Sequence, residues 1–226
     1  MATGIVLTKP VLDLGPEVRV TEGPLVELLS SWKRIDGKGL DASIEVFEKA
    51  YQAVIGVFDS LLKGMLMSGM VKGDNEKNLE KLVLAARRVG AGTVREMIQN
   101  EISSGVALRN SGREALLWMK RTLQFVRLII RNAVAEGFEK GLASVTKSAY
   151  DKTLAPCHGL NARGFKFAMN GMPKKRVFFE RLSSDTATVQ NELSAWLYCS
   201  YPMISNLVVE FNNLQIENVM TCQQVV

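Results

Sequence analysis

Asp74, Asn78 and Lys81, spaced four and then three residues apart, form the clearest chemical grouping in the chain. On a helix that spacing lines up a carboxylate, an amide and an ammonium over two turns. Together they accept, donate and accept, and donate, a mixture suited to vicinal hydroxyls. The plainer alternative makes Asp74 a helix cap and leaves the other two in water. Trp118 is the second candidate, because an indole can cover the apolar C–H face of a sugar ring or can simply be core. It falls one turn from Arg121 and opposite the main apolar stripe of its helix, where a wholly packed tryptophan would have a charged neighbour. His158, in Pro156-Cys157-His158-Gly159, is the only histidine, and the plain reading is an imidazole bonded to backbone. Lys174, Lys175 and Arg176 beside Phe178 and Phe179 form either a solvated face or a basic, aromatic patch for a membrane surface.

Catalytic apparatus is otherwise sparse. There is no Gly-x-Ser-x-Gly, no Gly-x4-Gly-Lys-[Ser/Thr] and no His-Glu-x-x-His, so a hydrolase, kinase or metalloenzyme is not expected. No catalytic residue, no metal ligand and no cofactor are assigned. The three cysteines, Cys157, Cys199 and Cys222, are an odd number without Cys-x-x-Cys spacing, which suits a reducing compartment and points to neither a disulfide framework nor a zinc site. The N-terminus lacks a basic stretch followed by a long apolar core, and no window offers the ~18 uninterrupted apolar residues of a membrane span. A soluble, intracellular protein is expected. Its formal charge of +5 mildly favours anionic surfaces, lipid or nucleic acid, without choosing between them.

The element that must position these groups is residues 111–136. Read at 100° per residue, it puts Leu116, Met119, Leu123, Val126, Ile130 and Ala133 on one face and Trp118, Phe125 and Ile129 on nearly the opposite one. A helix that is apolar on two sides is sandwiched between layers, or has one layer on one side and a cavity on the other. Around it the periodicity predicts helices over residues 25–32, 44–67 (capped by Asp41), 74–90, 93–102, 140–154, 158–169, 174–182 and 186–219, the last kinked at Pro202. Gly69 and Gly73 are expected to interrupt the pattern before Asp74. Residues 1–23 read as an extended arm. The fold class is all-α, with one large domain.

Three stretches together resemble the glycolipid transfer protein family. Asp74-x3-Asn78-x2-Lys81 looks like the family's headgroup triplet. Leu116-Leu117-Trp118-Met119-Lys120-Arg121-Thr122-Leu123 is similar to its Leu-x-Trp-Leu-Lys-Arg-Gly-Leu run. Residues 147–159, KSAYDKTLAPCHG, are similar to its Lys-Ala-Tyr…His-Gly segment, with the same eight-residue step from Tyr150 to His158. The resemblance implies a two-layer helical sandwich enclosing an apolar lipid tunnel, with residues 41–226 as the domain and 1–40 as an N-terminal extension. It implies a lipid shuttle without covalent chemistry, in which Asp74, Asn78 and Lys81 hydrogen-bond a sugar headgroup, Trp118 stacks on the sugar, and His158 with Asp74 clamps the ceramide amide. The expected ligand is a glycosphingolipid, bound by a cytoplasmic monomer that touches membranes transiently and binds no nucleic acid.

The family's ceramide-1-phosphate branch has Lys at the middle triplet position, Arg at the tryptophan position and a further basic residue one turn earlier. This chain has Asn78, Trp118 and Glu114 there, which sides with the sugar branch. The family's tryptophan shortly after His-Gly, thought to touch membrane, is absent, and Leu160 and Phe165 are the nearest large apolar residues. Two other classes stand beside this reading. One is a helical interaction module in which Trp118 is core. The other is weak nucleic-acid binding through Arg127, Arg131 and Lys174–Arg176, disfavoured because the aromatics are not interleaved as a stacking platform needs.

Overall fold

In a computed structural model, which describes residues 23–65, 67–137, 139–159 and 162–224, the regular elements are helical apart from two isolated bridge pairs. In chain order they are α1 (Pro24–Lys33), α2 (Ile44–Leu62), α3 (Ser68–Arg88), α4 (Val94–Ser103), α5 (Gly112–Ala135), α6 (Ala143–Lys152), α7 (Ala155–His158), α8 (Ala162–Ala168), α9 (Lys175–Leu182) and α10 (Thr186–Asn213). The helices make a two-layer sandwich in which α5 packs on α3, α4, α6 and α10, while α1 packs on α2 and α10. Residues 1–22 of the arm expected at residues 1–23, and Leu160, lie outside the described residues. From Pro24 onward the chain is part of the core. Leu25, Leu28 and Trp32 of α1 are buried, and the Trp32 indole N–H donates to the Ala50 carbonyl at 2.9 Å.

The central helix is fixed at its start by two acidic side chains. The Ser111 hydroxyl accepts the Glu114 N–H at 3.1 Å, and the Glu114 carboxylate accepts the Asn110 N–H at 2.6 Å. Beneath them the buried Glu101 carboxylate accepts the N–H groups of Gly112 and Arg113 at 2.9 and 3.0 Å, a negative charge at the positive end of the helix dipole. Only glycine fits at 112, because an added Cβ would lie 2.6 Å from the Ala85 Cβ. Both expected apolar faces are buried. Leu116, Met119, Leu123 and Ile130 pack on one side and Phe125 and Ile129 on the other, with Trp118 half-buried.

Four local expectations are corrected. Ser43, not Asp41, caps α2, accepting the Val46 N–H at 3.3 Å, and Asp41 instead pairs with Arg95 at 2.7 Å. Helix α3 begins at Ser68 and runs through Gly69 and Gly73. Each glycine costs ~1 kcal/mol against alanine, and packing of α3 on α2 and α5 offsets it. Asp74 is therefore a second-turn residue and not a cap. Third, of the two readings left open for residues 174–179, the basic, aromatic membrane patch fails: Phe178 and Phe179 are fully buried and the Lys175 ammonium donates to the Val134 and Glu136 carbonyls at the end of α5, while Lys174 and Arg176 stay exposed and pair with Glu139 and Glu180. Finally, α10 contains Pro202 but stops at Asn213 rather than 219. Gln215 takes φ 55°, and the Ile216 N–H bonds back to the Phe211 carbonyl at 3.2 Å, a left-handed C-cap that turns the chain out of the helix.

The tail after that turn, residues 214–224, returns across α5. The Lys120 ammonium donates to Glu217 Oε2 at 2.7 Å and to the Cys222 carbonyl at 2.8 Å, and the Gln124 amide donates to the Gln224 carbonyl at 2.8 Å. Arg121 forks onto Glu217, with Nε to Oε2 at 3.1 Å and Nη2 to Oε1 at 2.8 Å.

Candidate functional site

A cavity of about 490 Å³ opens beside α5, within the size range of small-ligand sites. Its deep wall is apolar, with Phe58 and Leu62 from α2, Phe125 from α5 and Leu154, Met169 and Met172 from the α6–α9 side. Its outer wall is polar: Asp74, Lys77, Asn78 and Lys81 come from successive turns of α3, and Glu114 and Trp118 from the first two turns of α5. Asp74 and Lys81 are exposed and Asn78 half-buried. Polar rim and apolar depth follow directly from the helical periods of the two facing helices, since α3 buries only Asn75, Leu79, Leu82, Ala85 and Ala86.

All five residues singled out in the sequence line this cavity. Within the described residues the side chains of Asp74, Asn78 and Lys81 form no hydrogen bond, so their donors and acceptors are available to a ligand. The next residue, Asn75, is buried and structural. Its Oδ1 accepts the Tyr51 hydroxyl at 2.6 Å and its amide donates to the Val71 carbonyl at 2.8 Å, which sets the rotation of α3 and aims the triplet.

Trp118 stacks on His158, with ring centroids 5.9 Å apart and planes at 22°, and the Arg121 guanidinium lies 5.1 Å from its centroid. His158 ends α7, a four-residue helix opened by Pro156. Its Nδ1 lies 2.6 Å from the Tyr150 hydroxyl, and its ring also meets Phe165 at 4.9 Å. Burial depresses the His158 pKa below its ordinary value, with Asp74 pulling it up and Arg121 pushing it down, so the imidazole is neutral at pH 7. Burial also raises Tyr150 to about 12. Tyr150 therefore keeps its proton and can donate it to Nδ1, an arrangement that leaves the proton of the neutral imidazole on Nε2. The plain alternative, a histidine bonded to backbone, does not describe this arrangement.

Sequence reasoning missed the part played by Tyr150, although the eight-residue step to His158 contained it, and it missed Lys77 and Thr122 as lining residues. Lys77 was findable, one turn from Asp74 on the same face of α3. Lys120 and Arg121, central to the sequence motif, do not line the cavity and bond the tail instead.

An all-α sandwich around a cavity with apolar depth and a hydroxyl-matching rim defines a carrier of an amphiphilic ligand. No helix among the described residues is long and apolar enough to cross a membrane. The sequence matches the family described as Glycolipid transfer protein (GLTP) over residues 42–184, and the chain belongs to that family. It is 30% identical over 155 residues to a glycolipid transfer protein of Aureobasidium melanogenum, covering 67% of this chain and 74% of that one. It is 32% identical over 152 residues to human pleckstrin homology domain-containing family A member 8, covering 66% of this chain and 28% of that longer protein. Among solved structures, human ceramide-1-phosphate transfer protein in complex with 12:0 ceramide-1-phosphate superposes with a TM-score of 0.76 at 16% identity, covering 87% of this chain and 99% of that one. FAPP2, which selects simple glycosphingolipids using the GLTP fold, gives 0.74 at 24%, covering 88% and 99%. The chain is thus a GLTP-fold lipid transfer protein.

Proposed function

We propose that this protein carries a glycosylated sphingolipid between membranes, without covalent chemistry. The observation that carries the reading is the unpaired Asp74, Asn78 and Lys81 on the rim, facing a half-buried Trp118 whose neighbouring cation, Arg121, is bound to Glu217. The triplet hydrogen-bonds the sugar, Trp118 stacks on its ring, and His158 with Asp74 holds the ceramide amide, while the acyl chains enter the apolar depth. Removing a two-chain lipid from a bilayer costs on the order of 20 kcal/mol at ~0.8 kcal/mol per CH₂, and an equally dry cavity offsets that cost without a reactive group. The lipid-carrying unit is residues 41–226 with α1 packed on it. It works as a cytoplasmic monomer in transient contact with membrane.

One observation favours ceramide-1-phosphate instead: Lys77 and Lys81 both reach the rim. Asp74 and Glu114 balance them there, and a phosphate is opposed by nearby carboxylates. Transfer of a fluorescent galactosylceramide between vesicles decides the matter when compared with ceramide-1-phosphate and with the Asp74→Val and Trp118→Ala variants. Galactosylceramide transfer that collapses in both folded variants is the expected result. Ceramide-1-phosphate moved equally well, or variants as active as the unmodified chain, would overturn the assignment.

A further inference from the structure

Residues 214–224 do not line the cavity, yet they decide what the nearest strong cation does. Arg121 is held by three bonds, two to Glu217 and one from Nη2 to Asn218 Oδ1 at 3.1 Å. Glu217 is itself pinned by the Lys120 ammonium and by the Val219 N–H at 2.9 Å, and is 3% exposed. One carboxylate thus restrains two cations. Removing its charge raises the local sum from +1 to +2, one helical turn from Trp118 and its stack on His158.

Arg121 also lies close to the cavity. A second hollow, between α5, α7 and the tail, is lined by Arg121 and Asn218 and shares Trp118 and Glu114 with the lipid cavity, so the guanidinium is separated from the rim by one indole ring. Its charge already reaches His158. A guanidinium is the side chain that best matches phosphate oxygens, through paired parallel N–H bonds. Here that fork is filled by a carboxylate.

We propose that Glu217 is a specificity-determining residue, which by occupying the Arg121 fork keeps the headgroup site selective for a neutral sugar over an anionic phosphate. It acts through Arg121 and touches no lipid, so it is a positioning residue. The inference rests on the glycosphingolipid reading above.

The test compares the unmodified chain with Glu217→Gln and Asn218→Asp. The amide keeps the shape and one acceptor of Glu217 but not its charge. The second variant adds a carboxylate at an exposed position already bonded to Arg121, so folding is spared. Two quantities are read: the ratio of ceramide-1-phosphate to galactosylceramide transfer, and the pKa of the single histidine, resolved by NMR titration. Glu217→Gln should raise the ratio about tenfold, the scale of one unit charge acting across a partly buried site, and should lower the His158 pKa. Asn218→Asp should move both in the opposite direction. If Glu217→Gln slows both lipids equally with the histidine unmoved, Glu217 is only a latch and the inference is wrong. If Glu217→Gln does not fold, Asn218→Asp decides alone, and a ratio and pKa equal to those of the unmodified chain overturn it. If the unmodified chain transfers only the phosphate lipid, the sugar assignment has failed, while the two histidine shifts still decide whether Glu217 governs Arg121.

Discussion

Tyr150→Phe isolates one hydrogen bond at the proposed headgroup site. The tyrosine ring packs against Phe125 at 6.1 Å, His158 at 5.5 Å and Phe165 at 6.1 Å, and phenylalanine keeps all three contacts while removing the hydroxyl that lies 2.6 Å from His158 Nδ1. A neutral hydrogen bond of this kind contributes about 1 kcal/mol, so glycolipid affinity should fall roughly fivefold as the imidazole loses the partner that fixes its tautomer. The same change carries a sign that can be checked. Donation from the hydroxyl to Nδ1 would favour the neutral ring beyond the effect of burial, so its loss should raise the His158 pKa from its depressed folded value. A depressed folded histidine costs stability once pH drops below 6.5, because the unfolded chain then binds a proton that the folded chain refuses. The unmodified protein should therefore lose stability as pH falls below 6.5, and Tyr150→Phe should lose less over the same window. Lipid-binding titrations and denaturant midpoints between pH 5 and 8 measure both effects. An affinity unchanged by the substitution, together with parallel stability curves, would refute the role given to the Tyr150–His158 pair.

Glu217→Ala leaves Lys120 and Arg121 without their shared buried carboxylate and should destabilise by about 3–5 kcal/mol, visible as a thermal midpoint lower by about 10 °C. Burial pushes the Glu217 pKa up, but the bonds from Arg121 and Lys120 outweigh it and hold the carboxyl below 4.5. Its stabilisation is present above pH 4.5 and is lost as pH falls through the depressed folded value, so Glu217→Gln should flatten the acid limb of the stability profile. Gly112→Ala drives a methyl to 2.6 Å from Ala85 and 2.8 Å from the Met97 sulfur, and should cost about 1–3 kcal/mol in a denaturant melt. Trp32 and Trp196 are 0% exposed whereas Trp118 is half-buried, so acrylamide quenching reports on Trp118 and should drop when glycolipid is loaded.

What was legible in the sequence had a local cause. The two-faced apolar pattern of residues 111–136 and the four-then-three spacing of the triplet are properties of a single helix, and both survive in α5 and α3. The misread features depend on partners far along the chain. Gly69 and Gly73 look like breakers until α3 is seen packed on α2 and α5. Phe178 and Phe179 beside three cations look like a surface patch until Lys175 is seen feeding the end of α5. Arg121 looks like a headgroup neighbour of Trp118, and nothing within a helical turn shows that its counter-charge comes from Glu217, 96 residues away.

The two walls of the cavity differ in how firmly they are built. Helix α5 is buried along both faces, tied at its start by Glu101 and farther along by the tail, whereas α7 and α8 contribute no buried side chain between them. Local opening is least costly where few apolar contacts must be undone. The backbone amides of α7 and α8 should exchange with solvent deuterium first and those of α5 last. On the proposed reading, a long-chain lipid would slip in by a small, local excursion on one side, while the face proposed to read its headgroup keeps its shape.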